Sequence, residues 1–133
     1  MPPSGKRHTL LFVDDDQFFL NLYAQKAKRY NIDVETVTSA QAALAKIDTG
    51  YKPDTFVLDI DMPGMNGFEL VEELKKRGLT EHAYVVFLTN KSDPTYIEKS
   101  REYPIDRYII KATHVPSEVM EEIFDLLESG TKK

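Results

Sequence analysis

The side chains best equipped for chemistry fall in four short groups: Asp14, Asp15 and Asp16; Asp59 and Asp61 on either side of Ile60; Thr89 followed by Asn90; and Lys111. Carboxylates at this density are oxygen donors that favour a hard cation. With the Thr89 hydroxyl and the Lys111 ammonium, these carboxylate-bearing positions would make one polar, charged cluster if the fold brings them together. The chain has no cysteine, so disulfides and thiolate metal sites are excluded. His8, His82 and His114 have no ligand spacing and read as surface or loop residues.

These groups can cooperate only if the fold gathers them, and each directly follows a short apolar run. Periodicity gives strands at Thr9–Val13, Val34–Val37, Thr55–Leu58, Tyr84–Leu88 and Arg107–Ile110. Amphipathic stretches between and after them give helices at Gln17–Arg29, Gln41–Asp48, Gly67–Arg77, Pro94–Arg101 and Ser117–Glu128. Strict alternation predicts an α/β fold, a doubly wound five-stranded parallel sheet with right-handed crossovers and helices on both faces. Ligands of such sheets bind beyond the carboxyl ends of the strands, where all four groups stand.

Local signals support the elements. Ser39 is an N-cap, Asp16 is the best cap for the first helix, and Gly50, Gly78 and Gly130 follow helices. Val119, Ile123, Leu126 and Leu127 make one apolar face on the last helix. The first, third and fourth strands are nearly continuous in apolar residues, as buried parallel strands are. In the second, Asp33 and Glu35 alternate with Val34 and Thr36, which marks an edge strand. Phe18, Phe19, Phe56, Phe68 and Phe87 are expected in the core. The domain is expected over 8–129, with residues 1–7 and 130–133 as loose tails.

The 133 residues, 41% hydrophobic and 29% charged, suit one globular domain. A net charge of −5 without a long basic run disfavours direct nucleic-acid binding. No apolar stretch approaches the roughly 20 residues of a membrane span, and Met1–His8 lacks an apolar signal core, so no membrane association and a cytoplasmic location are expected.

From Thr9 to Glu128 the chain resembles the receiver domains of two-component response regulators. Leu11-Phe12-Val13-Asp14-Asp15-Asp16 is similar to their acidic first-strand motif, and the run from Val57 through Asp59 and Met62-Pro63-Gly64 to Gly67 and Leu70 to their phosphoacceptor motif. Thr89, Tyr108 and Lys111 stand where that family has its Ser/Thr, switch aromatic and lysine. The resemblance implies a flavodoxin-like strand order 2-1-3-4-5 and a phosphoaspartate switch that modifies only itself. Asp59 would be phosphoacceptor, with Thr89 and Lys111 contacting phosphoryl oxygens. Mg²⁺ would be held by Asp15, Asp59 and the Asp61 backbone carbonyl, with Asp14 holding one of its waters. Thr89 and Tyr108 would form the switch, and Asp61 and Lys91 would tune phosphate lifetime. It further implies a histidine kinase or phosphotransfer protein as donor, a downstream protein target, and a monomer or weak dimer. Tyr96, Arg101, Arg107 and Glu118 would lie on the face open to target or dimer.

Three departures qualify the resemblance. Ala112 follows Lys111 where the family usually has a cis proline, and a non-proline cis bond costs ~2.5–4 kcal/mol, so this loop is expected to be trans or strained. Asn90 replaces the small residue usual there and is expected to narrow access to the phosphoryl pocket. Asp61 and Lys91 stand at positions that vary in the family. Past Glu128 the sequence shows no output domain, so output is expected through protein contacts, and a piece of a larger regulator or hybrid kinase would read the same. Two other functions compete: a receiver-like interaction module that takes no phosphate, and an Asp-x-Asp phosphatase suggested by Asp59-Ile60-Asp61.

Overall fold

The structure, a computed structural model, describes residues 8–129. The expected tails at 1–7 and 130–133, with Gly130, lie outside the described residues. The elements run in strict alternation: β1 His8–Val13, α1 Gln17–Ala27, β2 Ile32–Val37, α2 Ala40–Asp48, β3 Thr55–Leu58, α3 Gly67–Lys76, β4 Tyr84–Thr89, α4 Pro94–Ser100, β5 Arg107–Ile110 and α5 Pro116–Glu128. Short 3₁₀ turns cover Lys28–Tyr30, Leu79–Glu81 and Lys111–Thr113.

All pairings are parallel and the order is β2-β1-β3-β4-β5. This is the doubly wound, flavodoxin-like arrangement expected. Because side chains alternate along a strand, β1 divides between two cores. Leu10 and Phe12 join Leu20 and Tyr23 of α1 and Val119 and Ile123 of α5. Leu11 and Val13 join Ala40 and Ala43 of α2 and Leu70 and Leu74 of α3. β2 lies at the sheet edge, with Asp33 and Glu35 exposed.

Capping fixes where the helices begin. Ser39 accepts from the Ala42 N–H at 3.0 Å. Asn66 and Glu69 form a reciprocal capping box at α3, with both bonds 2.9 Å. α5 starts one residue earlier than expected: Pro116 occupies the first helical position, where its missing N–H costs nothing, and Glu118 accepts from the Val115 N–H at 3.0 Å.

Two expectations are corrected. Phe18 is 78% exposed and outside the core; on α1 the buried residues Leu20, Tyr23 and Ala27 set the inward phase, and Phe18 lies on the opposite side of the turn. His8 is a buried strand residue, with Nε2 2.8 Å from Glu128 Oε2 and Nδ1 3.9 Å from Asp54 Oδ2. Paired with carboxylates, an imidazole can be buried at the first position of β1.

Candidate functional site

Strand register carries the four groups to one rim. Val13 of β1 pairs with Leu58 of β3, Leu58 with Phe87 of β4, and Thr89 with Ile110 of β5. Ladder bonds continue one residue past the strands: the Asp14 N–H donates to Val37 O at 3.2 Å and the Asp59 N–H to Val13 O at 2.9 Å. The two carboxylates nearest the sheet thus hang from pinned backbone. Asp14, Asp15, Asp59, Asp61, Thr89, Lys91 and Lys111 all line one open pocket of about 360 Å³, with Asp16 and Asn90 completing its wall.

Asp14 and Asp59 are buried, Asp15 is exposed, and the three offer carboxylate oxygens all within 4.8 Å of one another. At that separation two unit charges repel by about 3.5 kcal/mol at an effective dielectric of 20. Lys111 offsets part of this. Its Nζ lies 2.6 Å from Asp14 Oδ2 and 3.6 Å from Asp59 Oδ2. Burial pushes the Asp59 carboxyl above its ordinary pKa, with Asp14 adding to the push. Lys111, the Thr89 hydroxyl and the Ile60 N–H pull the other way without cancelling it. One cation among three acids leaves an oxygen-rich, net negative cavity, the donor set a hard divalent ion fits.

The peptide after Lys111 is trans, as are the others among the described residues. The 3₁₀ turn that follows is tied back to Ile110 O by Thr113 Oγ1 at 3.3 Å and His114 Nδ1 at 2.9 Å. Lys111 reaches both carboxylates with Ala112 in place.

Thr89 is fully buried at the end of β4, and its Oγ1 accepts from the Lys91 N–H at 3.2 Å. Tyr108 is the one expected site residue that does not line the pocket: half-buried, its ring packs edge-on against Phe87 at 6.0 Å, and its hydroxyl donates to Lys91 O at 2.6 Å. Burial pushes that hydroxyl up to about 12, so it stays a neutral donor. Asp61 and Lys91 face each other at the mouth, with Nζ 3.5 Å from Asp61 Oδ2.

Sequence reading places Phe19 only in the core and Gly67 only in the phosphoacceptor run, and misses what each does at the site. Phe19 lies with its ring 4.2 Å from Lys111 Nζ; the signal available was its place one turn before Tyr23 on the inward side of α1. At Gly67 an added Cβ would meet Asp59 O at 2.5 Å and Ile60 Cα at 2.8 Å, so only glycine lets α3 start against the loop that carries Asp59.

A family model for the response regulator receiver domain matches residues 10–124. The chain is 34% identical over 114 residues to the two-component response regulator ARR10 of Arabidopsis thaliana, covering 85% of this chain and 20% of that protein. It is 30% identical over 106 residues to the two-component response regulator ORR8 of Oryza sativa subsp. japonica, covering 80% and 88%. The chain spans about a fifth to a quarter of the length of the first curated relatives it matches. Among solved structures, a CheY-like response regulator receiver domain protein from Methanospirillum hungatei JF-1 superimposes with a TM-score of 0.82 at 27% identity, over 93% of this chain and 96% of that one.

Proposed function

The chain belongs to the response regulator receiver domain family, and on that premise we propose that its domain, residues 8–129, is a phosphoaspartate switch in which Asp59 takes a phosphoryl group. Receiver domains are signalling switches that meet histidine kinases or phosphotransfer proteins on one side and downstream targets on the other. The observation that carries the finer reading is the convergence of Asp14, Asp15 and Asp59 within 4.8 Å beside the Lys111 ammonium, 3.6 Å from Asp59.

In the proposed reaction an Asp59 carboxylate oxygen attacks the phosphorus of a phosphohistidine or a small acyl phosphate. The new O–P bond forms as the donor's bond to phosphorus breaks, and its electron pair leaves with the donor. Lys111 moves from Asp14 toward a phosphoryl oxygen and the Thr89 hydroxyl donates to another, compensating charge that develops during transfer. Asp15, Asp59 and the Asp61 backbone carbonyl would hold Mg²⁺, with Asp14 holding one of its waters, and the ion when bound would neutralise charge on the carboxylates and the phosphoryl group. Asp61 and Lys91, paired at the mouth, would control how readily water reaches the acyl phosphate.

Thr89, drawn toward the phosphoryl group, would change its contact with Lys91, whose carbonyl holds Tyr108, and so alter the surface of α4, β5 and α5 around Tyr96, Arg101, Arg107 and Glu118. Only such a difference between states can change partner affinity. A downstream protein target, a monomeric or weakly dimeric state and a cytoplasmic location belong to this reading; no described helix is long and apolar enough to cross a membrane.

The test is intact-mass spectrometry after incubation with Mg²⁺ and acetyl phosphate. The expected result is a single phosphoryl adduct, absent from Asp59→Asn and absent when EDTA replaces Mg²⁺. No adduct from acetyl phosphate or any phosphohistidine donor would overturn the switch in favour of a phosphate-independent interaction module.

A further inference from the structure

The Lys111 ammonium has a third neighbour besides its two carboxylates: the face of the Phe19 ring, 4.2 Å away. Four contacts close a circuit through this pair. Lys111 Nζ bonds Asp14 Oδ2 at 2.6 Å, Asp14 Oδ1 accepts from the Asp16 N–H at 2.9 Å, Asp16 Oδ1 caps α1 by accepting from the Phe19 N–H at 3.2 Å, and the Phe19 ring returns to Lys111. The ring is itself braced, since Phe19 packs on Tyr23 with centroids 4.6 Å apart and Tyr23 on Phe12 at 5.4 Å. Tyr23 and Phe12 are fully buried, so the platform is anchored in the α1–α5 side core.

The peptide after Lys111 carries Ala112, without the fixed φ a proline would impose. The turn is held instead by Thr113 and His114 on Ile110 O, and the Phe19 ring adds a constraint on the ammonium itself. A carboxylate holds an ammonium at one point, and the closer hold is Asp14, at 2.6 Å against 3.6 Å to Asp59 Oδ2. An aromatic face attracts a cation through its quadrupole over a broad area and offers no lone pair to compete with. It also keeps water off that flank of the ammonium.

We propose that Phe19 is a positioning residue for Lys111, a slide on which the ammonium passes from Asp14 to the phosphoryl oxygens at Asp59. The role rests on the phosphoaspartate reading, and the ring–ammonium contact can be measured apart from it.

Phe19→Leu keeps an apolar side chain and removes the π face, whereas Phe19→Tyr keeps the face. Phe18→Leu, at the exposed neighbouring position, is the control. With Mg²⁺ and saturating acetyl phosphate, Phe19→Leu is expected to form adduct about tenfold more slowly than wild type, with Phe19→Tyr and Phe18→Leu within about twofold of it. NMR of the unphosphorylated protein gives the independent readout. The Lys111 ε-methylene protons should be shifted upfield by the ring in wild type and Phe19→Tyr, and should move to ordinary positions in Phe19→Leu.

Phe19→Leu reacting at the wild-type rate, or Phe19→Tyr as slow as Phe19→Leu, would overturn the positioning role, as would unshifted Lys111 protons in wild type. A wild type that forms no adduct yet shows the upfield shift would sink the phosphoryl reading itself and reduce the ring contact to architecture, which also overturns the role.

Discussion

Gly67→Ala separates close approach from backbone conformation. Gly67 does not need the left-handed region, so alanine's φ preferences do not forbid it, and at the start of α3 alanine's propensity would even favour it by up to ~1 kcal/mol. What forbids it is space. A Cβ there would sit 2.5 Å from Asp59 O and 2.8 Å from Ile60 Cα, both backbone atoms that no rotamer change can move. Restoring ordinary contact of about 3.4 Å or more requires the Asp59 loop and the α3 terminus to separate by nearly an ångström, straining the 2.9 Å bond from the Gly67 N–H to Ile60 O. Overpacking of this kind costs ~1–3 kcal/mol, and set against the full propensity gain it leaves a net loss of up to about 2 kcal/mol. Urea unfolding should show a lower midpoint with an unchanged slope. Because the displaced carbonyl belongs to Asp59, adduct formation with acetyl phosphate should slow by about 10²-fold, the usual penalty for an ångström of misplacement. Gly50→Ala is the contrast: nothing lies within 4 Å of its added Cβ and its φ is +100°, so it should lose stability and keep the wild-type phosphorylation rate. Gly67→Ala with wild-type stability and rate would refute the packing argument.

Three other outcomes follow from the charges. In metal-free buffer Asp59→Asn should be more stable than wild type at neutral pH, because burial raises the Asp59 pKa above its unfolded value near 3.9 and its ionised form costs folding free energy. As pH falls through that raised pKa the penalty is relieved, so urea midpoints of the two proteins should converge toward the ordinary carboxylate range; a difference independent of pH would contradict this. Millimolar Mg²⁺ should raise the wild-type melting temperature, and the gain should shrink in Asp15→Asn, where one of the three clustered carboxylates is lost; equal gains in calorimetry would remove Asp15 from the donor set. His8→Ala should cost ~1–3 kcal/mol in urea unfolding by taking the partner from Glu128, and an unchanged midpoint would mean the 2.8 Å contact contributes nothing.

The parts legible in sequence are those whose signal is local. Every strand was marked by its apolar run, and α2 and α1 by Ser39 and Asp16, which accept from Ala42 and Phe19 as expected. The site could be gathered from sequence because parallel topology sends every strand's carboxyl end to one rim. His8 was misread because its partners, Asp54 and Glu128, are 46 and 120 residues away and nothing near His8 announces them. Phe18 was misread although the signal existed: its neighbour Phe19 shares the phase of Leu20, Tyr23 and Ala27, and Phe18 does not. Residue type outweighed helical angle, and the angle was right. The constraint on Gly67 depends on how closely α3 abuts the Asp59 loop, a distance no residue type encodes.

Lys91 shows how the proposed switch would be wired through one exposed loop. Its N–H donates to the Thr89 hydroxyl, its carbonyl accepts from Tyr108, and its ammonium lies 3.5 Å from Asp61 and 5.4 Å from the centre of the Tyr96 ring. The backbone contacts and the side-chain contacts therefore do separate work. A Lys91→Ala variant keeps both backbone bonds and loses the pairing with Asp61 and Tyr96, so it should leave the Thr89–Lys91–Tyr108 linkage intact while opening the pocket mouth. Under the phosphoaspartate reading this predicts a changed lifetime of the acyl phosphate with little change in how strongly phosphorylation alters the Tyr108 environment. The exposed Asp61–Lys91 pair contributes at most ~1 kcal/mol to stability, so any large effect of its removal must be on the chemistry at the mouth and not on the fold.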